Sequence, residues 1–205
     1  MQNFITFEGG EGSGKSTLIG LLADYCQSKN IDYVVTREPG GLVECEKIRQ
    51  ILKQSELSPK TQLLLFSASR SHLCENLISP AIKSGKIVFC DRFFDSTRVY
   101  QGYCGHLADE TIMQITKTAV GECYPQITFF LDIDPQKAFE RKGGADKGDV
   151  FEQAGIEYHK KVREGYNLLC KKEPNRFVKI DATMPKEEVL NKVIEVLKKE
   201  NVINA

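Results

Sequence analysis

Eight residues near the amino end constrain this chain more than anything else in it: Gly9-Gly10-Glu11-Gly12-Ser13-Gly14-Lys15-Ser16. They fit G-x-x-x-x-G-K-[ST], a pattern that a shuffled chain of this composition would contain roughly once in a hundred trials. Phe4 to Glu8, before the motif, reads as a strand. Thr17 to Ser28, after it, reads as a helix with Leu18, Leu21, Leu22 and Tyr25 at helical spacing. Strand, glycine-rich turn and helix in that order make an anion cradle. Glycines let consecutive backbone N–H groups curl round phosphate oxygens, and the helix turns its positive end toward them. Lys15 can reach the β- and γ-phosphates, and the Ser16 hydroxyl can ligate Mg²⁺. Gly9 to Thr17 is therefore the candidate triphosphate site.

The rest of the chain repeats the strand-then-helix theme. Apolar runs at Tyr33 to Thr36, Ile87 to Asp91, Ile127 to Asp132 and Phe177 to Ile180 read as further strands. Helical stretches fall at Leu42 to Lys53, at Ser58-Pro59 through roughly Lys83, and at Thr97 to Gly102, Asp109 to Val120 and Pro135 to Lys142. Two more follow at Phe151 to Lys172 and Lys186 to Lys199. About five strands alternating with helices predict an α/β fold with a parallel sheet covered on both faces. The 205 residues suit one domain. Glycines and charges from Gly143 to Asp149 predict an exposed, mobile loop.

Composition narrows the partners. Lys+Arg and Asp+Glu both number 28, which disfavours a nucleic-acid binder working by global charge. No apolar run approaches the ~20 residues that cross a membrane, and the first residues do not read as a secretory signal. Seven scattered cysteines without a C-x-x-C pair read most simply as free thiols in a reducing cytosol, a redox or metal role being the alternative.

Two further stretches carry chemistry. The strand ending IVFC runs into Asp91-Arg92. Asp91 is placed to hold Mg²⁺ through water, and Arg92 would aim a cation at the same phosphates. That cation makes sense where a second phosphate, on an acceptor, is held against the first, as in a nucleotide or small-metabolite kinase. Phe66 and Arg70, four apart in LLLFSASR, share one helix face. A ring beside a guanidinium can stack on a base and bond its edge. Asp91 to Gly102 packs an acid, a base, hydroxyls, a phenol and an amide into a few turns, more hydrogen-bonding groups than a core helix needs.

With these motifs in hand, the chain resembles the bacterial thymidylate kinases. The resemblance runs the whole length: FEGGEGSGKST, TREPGG (Thr36 to Gly41), LLLFSASR, DRFFDSTRVYQG, Leu131 to Pro135 and Ile180 to Ala182. It implies a P-loop NTPase three-layer αβα sandwich with a five-stranded parallel sheet, conversion of dTMP to dTDP by ATP and Mg²⁺ in dTTP synthesis, and a cytoplasmic homodimer. It also implies roles. Phe66 stacks on thymine, and Arg70 bonds its edge. Arg92 holds the dTMP phosphate, with Ser96 in the same pocket. Thr97 and Gln101 line the base and sugar pocket, and Tyr100 sits against the deoxyribose. Glu38 and Pro39 shape the acceptor wall. Glu11 meets either the sugar 3′-OH or a water on Mg²⁺. Arg141 and Ala182 belong to the ATP side, and Lys15, Arg92 and Arg141 are the expected catalytic cations.

The segment around 141–152, a lid in the family, departs from its pattern. The family commonly carries arginines there and ends in Asp-Arg-x-Glu, but Val150 stands at the arginine position. Arg141 is the one arginine left beside Lys142 and Lys147, so Arg141→Ala is expected to cost more turnover than Lys147→Ala. A deoxynucleoside kinase and a nucleotide-dependent switch are the rival readings.

Overall fold

Strand β1 (Phe4–Glu8) is buried at every position, which requires a strand covered on both faces. The computed structural model, which describes residues 2–141 and 155–203, provides that cover. Among those residues the sheet runs β2 (Tyr33–Arg37), β3 (Ile87–Asp91), β1, β4 (Ile127–Asp132), β5 (Phe177–Asp181), with every neighbouring pair parallel. The α/β class and the five parallel strands expected from the alternating pattern are present.

The period of two along each strand divides the core. Ile5 and Phe7 point to one face, with Phe89 and Phe129, and pack against α1 (Lys15–Ser28) and α9 (Lys186–Lys199) through Leu18, Leu22, Val193 and Leu197. Phe4, Val88 and Cys90 point to the other, under Leu73, Phe93 and Phe94. Beside them α8 (Ile156–Lys172) lays Val162, Tyr166 and Leu169 over Phe130 and Phe177. Burying one such side chain stabilises the fold by about 1.5–3 kcal/mol. Thr6 and Glu8 fall on the second face by the same alternation, so β1 sends a carboxyl into the interior. Glu8 is 0% exposed.

Helices α2 (Val43–Gln54) and α3 (Pro59–Leu73) follow β2. Ser58 caps α3, its Oγ accepting Thr61 N at 3.3 Å, and Pro59 opens the first turn. The long helix expected to reach Lys83 does so, but a π-helical turn at Cys74–Ile78 separates α3 from α4 (Ser79–Lys83). A second π-helical segment, Arg98–Cys104, follows α5 (Phe94–Thr97), where a plain helix over Thr97 to Gly102 was expected. Such widened turns often sit at functional sites. This one presses against α8, where a Cβ on Gly165 would lie 3.0 Å from Val99 Cγ1 and 3.1 Å from Tyr103 Cδ1. Helices α6 (Asp109–Val120) and α7 (Pro135–Arg141) complete the described set.

All seven cysteines are free thiols, five of them buried in the core. No helix among the described residues is long and apolar enough to cross a membrane. Lys142, Lys147 and the mobile loop expected at Gly143 to Asp149 lie outside the described residues.

Candidate active site

Because the strands are parallel, their carboxyl ends open along one edge of the sheet, where α/β folds bind ligands. The motif Gly9 to Ser16 turns from β1 into α1 at that edge. Gly12 is glycine for two reasons: its φ is +70°, and a Cβ would lie 2.8 Å from Ala138 O. Lys15 folds back over the loop, its Nζ donating to Gly9 O and Gly10 O, each at 3.1 Å. Burial lowers the Lys15 pKa from its ordinary value, and the nearby Arg92 charge adds to the effect. An anion arriving in the loop reverses that pressure, since it rewards the charged form. Ser16 Oγ donates to Asp91 Oδ2 at 2.9 Å across from the end of β3. Asp91 Oδ1 is buried with no hydrogen-bond partner among the described residues.

Arg92, one residue past β3, has a φ of +67°, a strained region for a non-glycine residue. Its guanidinium spans two walls. Nη1 donates to Gly9 O at 3.0 Å and Ser96 Oγ at 3.2 Å, while Nη2 pairs with Glu11. Its Cζ lies 5.3 Å from the Tyr100 ring centre. Beneath it sits Glu8, whose Oε1 accepts Phe93 N at 2.8 Å. Glu8 Oε2 is approached by Ser96 Oγ at 2.6 Å and Tyr166 OH at 2.8 Å. Burial raises the Glu8 pKa, and nearby Asp95 raises it further. Tyr166 OH also lies 3.4 Å from Arg92 Nη1. Motif reading missed both Glu8 and Tyr166. Glu8 reads as a strand residue and Tyr166 as helix filler, and only the tertiary fold brings them under Arg92.

The opposite wall is built from side chains. Arg70, 1% exposed, donates Nε to Glu38 Oε2 at 2.7 Å and Nη2 to Thr97 Oγ1 at 3.1 Å. Its Nη1 has no partner among the described residues. Burial pushes the Glu38 pKa up to about 7, against the pull of Arg70. Pro39 follows through a cis peptide bond and is held by Arg49, whose Nη1 donates to Pro39 O at 2.8 Å. Burial likewise raises the Tyr100 phenol to about 12.

These walls enclose one cavity of about 1020 Å³, at the top of the range for a single small ligand and roomy enough for two. It brings together Glu11, Gly12, Ser13, Gly14, Lys15, Ser16 and Thr17 with Asp91, Arg92 and Ser96. Glu38, Pro39, Phe66, Arg70, Thr97, Tyr100 and Gln101 line it too, as do Arg141 and Ala182. Gly9 and Gly10 open the loop without lining the cavity. Arg141 Nη1 and Nη2 donate to Ala182 O at 2.6 Å and Thr183 O at 3.1 Å, fastening the end of α7 to the turn after β5. Arg37, Arg49 and Thr183 to Lys186 also line it and were not singled out by motif.

A family model described as thymidylate kinase matches residues 7–193. The chain belongs to the thymidylate kinase family. It is 44% identical over 196 residues to a thymidylate kinase of Dehalococcoides mccartyi, covering 94% of each chain. It is 41% identical over 201 residues to one from Clostridium novyi, covering 95% of this chain and 98% of the relative. The crystal structure of thymidylate kinase from Ehrlichia chaffeensis superposes with a TM-score of 0.77 at 36% identity, covering 95% of this chain and 97% of that one. The kinase is accordingly a nucleoside monophosphate phosphotransferase that phosphorylates dTMP with ATP.

Proposed function

We propose that this cavity holds both substrates end to end, the ATP phosphates in Gly9 to Thr17 and dTMP on the Phe66, Arg70 and Gln101 wall. The observation that carries this is Arg92, which bonds the phosphate loop through Gly9 O and pairs with Glu11 while lining the same cavity as Arg70. Phosphoryl transfer is mainly positioning and charge neutralisation. Arg92 fixes the phosphate of dTMP, whose oxygen attacks the γ-phosphorus, and ADP leaves. Lys15 exchanges its loop carbonyls for the β- and γ-phosphates. Phe66 stacks on the base, Arg70 donates to its edge, and Gln101 meets the ring nitrogen. Tyr100 and Thr97 pack at the sugar, Glu38 and Pro39 hold Arg70 and the wall, and Ser96 supports Arg92. Glu11, tied to Arg92, faces the acceptor and takes the sugar 3′-OH. Arg141 and Ala182 flank the ATP base.

Mg²⁺ fits the same reading. The Ser16 hydroxyl and the Asp91 carboxylate form an all-oxygen donor pair, and Asp91 Oδ1 is buried without a hydrogen-bond partner among the described residues. Ser16 and Asp91 would hold Mg²⁺, which would supply charge to offset that of the phosphates. The seven free thiols suit a reducing cytosol, and the homodimer implied by the resemblance is checked by molar mass in solution.

The test is ADP release with dTMP, dUMP, dCMP, dGMP and thymidine as acceptors. The expected order is dTMP, then dUMP, with dCMP, dGMP and thymidine negligible. Equal rates with dTMP and dCMP would remove the base-reading role from Arg70 and Gln101.

A further inference from the structure

Gln101 is 2% exposed and lines the cavity. A side-chain amide has a donor end and an acceptor end, so it reads a base only when something decides which end faces it. That decision is made outside the cavity. Gln62, on α3 one turn before Phe66, is half-buried and not among the cavity residues. Its Nε2 donates to Leu57 O at 3.0 Å. A backbone carbonyl can only accept, so this bond settles the Gln62 amide and turns its Oε1 the other way. Gln62 Oε1 accepts Gln101 Nε2 at 2.9 Å. Turning Gln101 over would set two amide oxygens against each other. Its Oε1 is the end left without a protein partner among the described residues.

We infer that Gln62 is a specificity-positioning residue. It holds Gln101 so that an acceptor oxygen, not an NH₂, meets the base, and thereby selects pyrimidines that carry N–H at ring position 3. Thymine and uracil present that donor. Cytosine presents a lone pair there, which would face the Gln101 oxygen and leave two buried acceptors unpaired. The relay runs from the Leu57 carbonyl through two amides to the base, so the preference originates at a backbone atom that side-chain rotation cannot invert. The inference rests on the proposed reading of Gln101 as the base contact.

The experiment measures kcat/KM for dTMP and for dCMP in the full-length enzyme, with KM for ATP and the melting temperature as controls. Gln62→Met frees Gln101 to turn over and is expected to lower the dTMP:dCMP ratio about tenfold, the worth of one buried hydrogen bond. Gln62→Glu keeps an acceptor opposite Gln101 Nε2 and should hold the ratio within about twofold of the parent. Gln62→Lys offers only donors and should lower the ratio further than Gln62→Met; it also serves if Gln62→Met does not fold. A purely structural role would lower both substrates together, and an unchanged ratio in Gln62→Met and Gln62→Lys overturns the inference. Gln101→Met separates the two layers. If Gln101→Met keeps the parental ratio, the reading of Gln101 has failed. If Gln101→Met collapses the ratio while the Gln62 variants keep it, the role of Gln62 alone has failed.

Discussion

The two ends of the cavity are built on different principles. The end proposed for the triphosphate is one continuous stretch, Gly9 to Thr17, which offers backbone N–H groups and one lysine. The end proposed for dTMP is assembled from side chains on separate elements, held largely by partners distant in sequence. Arg70 leans on Glu38 and Thr97, Gln101 on Gln62, and Arg92 on Glu11, Ser96 and Tyr166. A backbone cradle recognises charge and tolerates any nucleotide that carries phosphates. A lattice of paired side chains recognises an edge, and it discriminates because each misfit leaves a buried group unpaired. Generality at one end and selectivity at the other is what a kinase with a common donor and a single acceptor requires.

The sharpest separation of the ends comes from Lys15. Lys15→Ala removes the one side-chain cation of the cradle and leaves the side-chain lattice intact. Turnover should fall by about 10³ or more, while the dTMP dissociation constant stays within a few-fold. Stopped-time ADP assays and dTMP titration check this. Near-parental turnover in a folded variant would remove the loop from the chemistry.

Arg92 is the residue where the ends meet, and its replacement should fall on the acceptor and the transfer step while sparing ATP binding. Arg92→Lys keeps the charge but loses the fork that reaches Gly9 O, Ser96 and Glu11 together. We expect kcat/KM for dTMP to fall about 10²-fold with KM for ATP little changed. A loss confined to KM for ATP would move Arg92 to the donor side and collapse the comparison.

The same contrast explains what could be read from the chain alone. The phosphate loop was legible because its chemistry is contiguous: eight residues hold the motif, and flanking strand and helix patterns supply the context. The strands β1, β3 and β4 were legible because burial on both faces makes them mostly apolar runs, broken inside only by Thr6 and Thr128. The π-helical turns at Cys74–Ile78 and Arg98–Cys104 left no signal, since their composition is that of an ordinary helix and packing sets the extra residue per turn. Phe66, Arg70 and Gln101 could be placed through resemblance, as could Glu38 and Thr97 that hold Arg70, but other supporting groups could not. Gln62, Glu8 and Tyr166 act from 39, 88 and 74 residues away from Gln101, Ser96 and Arg92 respectively, and such pairings exist only in the folded chain.

Glu38 gives the acceptor end a pH dependence near neutrality. An unfolded glutamate ionises near 4.5, and burial raises Glu38 to about 7 in the folded protein. Between those values the folded state holds a proton that the unfolded state has lost. Glu38 therefore lowers stability as pH rises through that window, and the loss levels off above 7. Function runs the opposite way, because only the ionised carboxylate gives Arg70 a full charge partner. From pH 6 to 8, kcat/KM for dTMP should rise up to about tenfold with an inflection near 7. The phosphate of dTMP titrates nearby, so Glu38→Gln is the control: it should lose the Glu38 inflection and keep the one belonging to the substrate. An unchanged profile in Glu38→Gln would assign the whole slope to dTMP.

The smallest expected effect lies at Arg141, where the comparison can be made finer. From the chain alone, this arginine is the expected cation over the transferring phosphoryl group. In the structure two of its nitrogens donate to Ala182 O and Thr183 O, in the same cavity wall as Met184 and Pro185. Two carbonyl bonds to a charged donor are worth a few kcal/mol together, and a guanidinium reaching the phosphates would have to give them up. These bonds clasp α7 to the turn after β5, and we propose that this clasp, not a phosphate contact, is what Arg141 contributes on the side proposed for the ATP base. On that account Arg141→Ala raises KM for ATP about fivefold to tenfold, leaves KM for dTMP alone and changes kcat by less than threefold or so. A transition-state cation would show the reverse, a drop in kcat of ~10³ at constant KM. Measuring kcat and KM for both substrates in Arg141→Ala and Arg141→Lys decides between them. If kcat collapses in Arg141→Ala, the donor end too depends on a long side chain, and the division between a backbone-built and a side-chain-built wall is weaker than the contacts indicate.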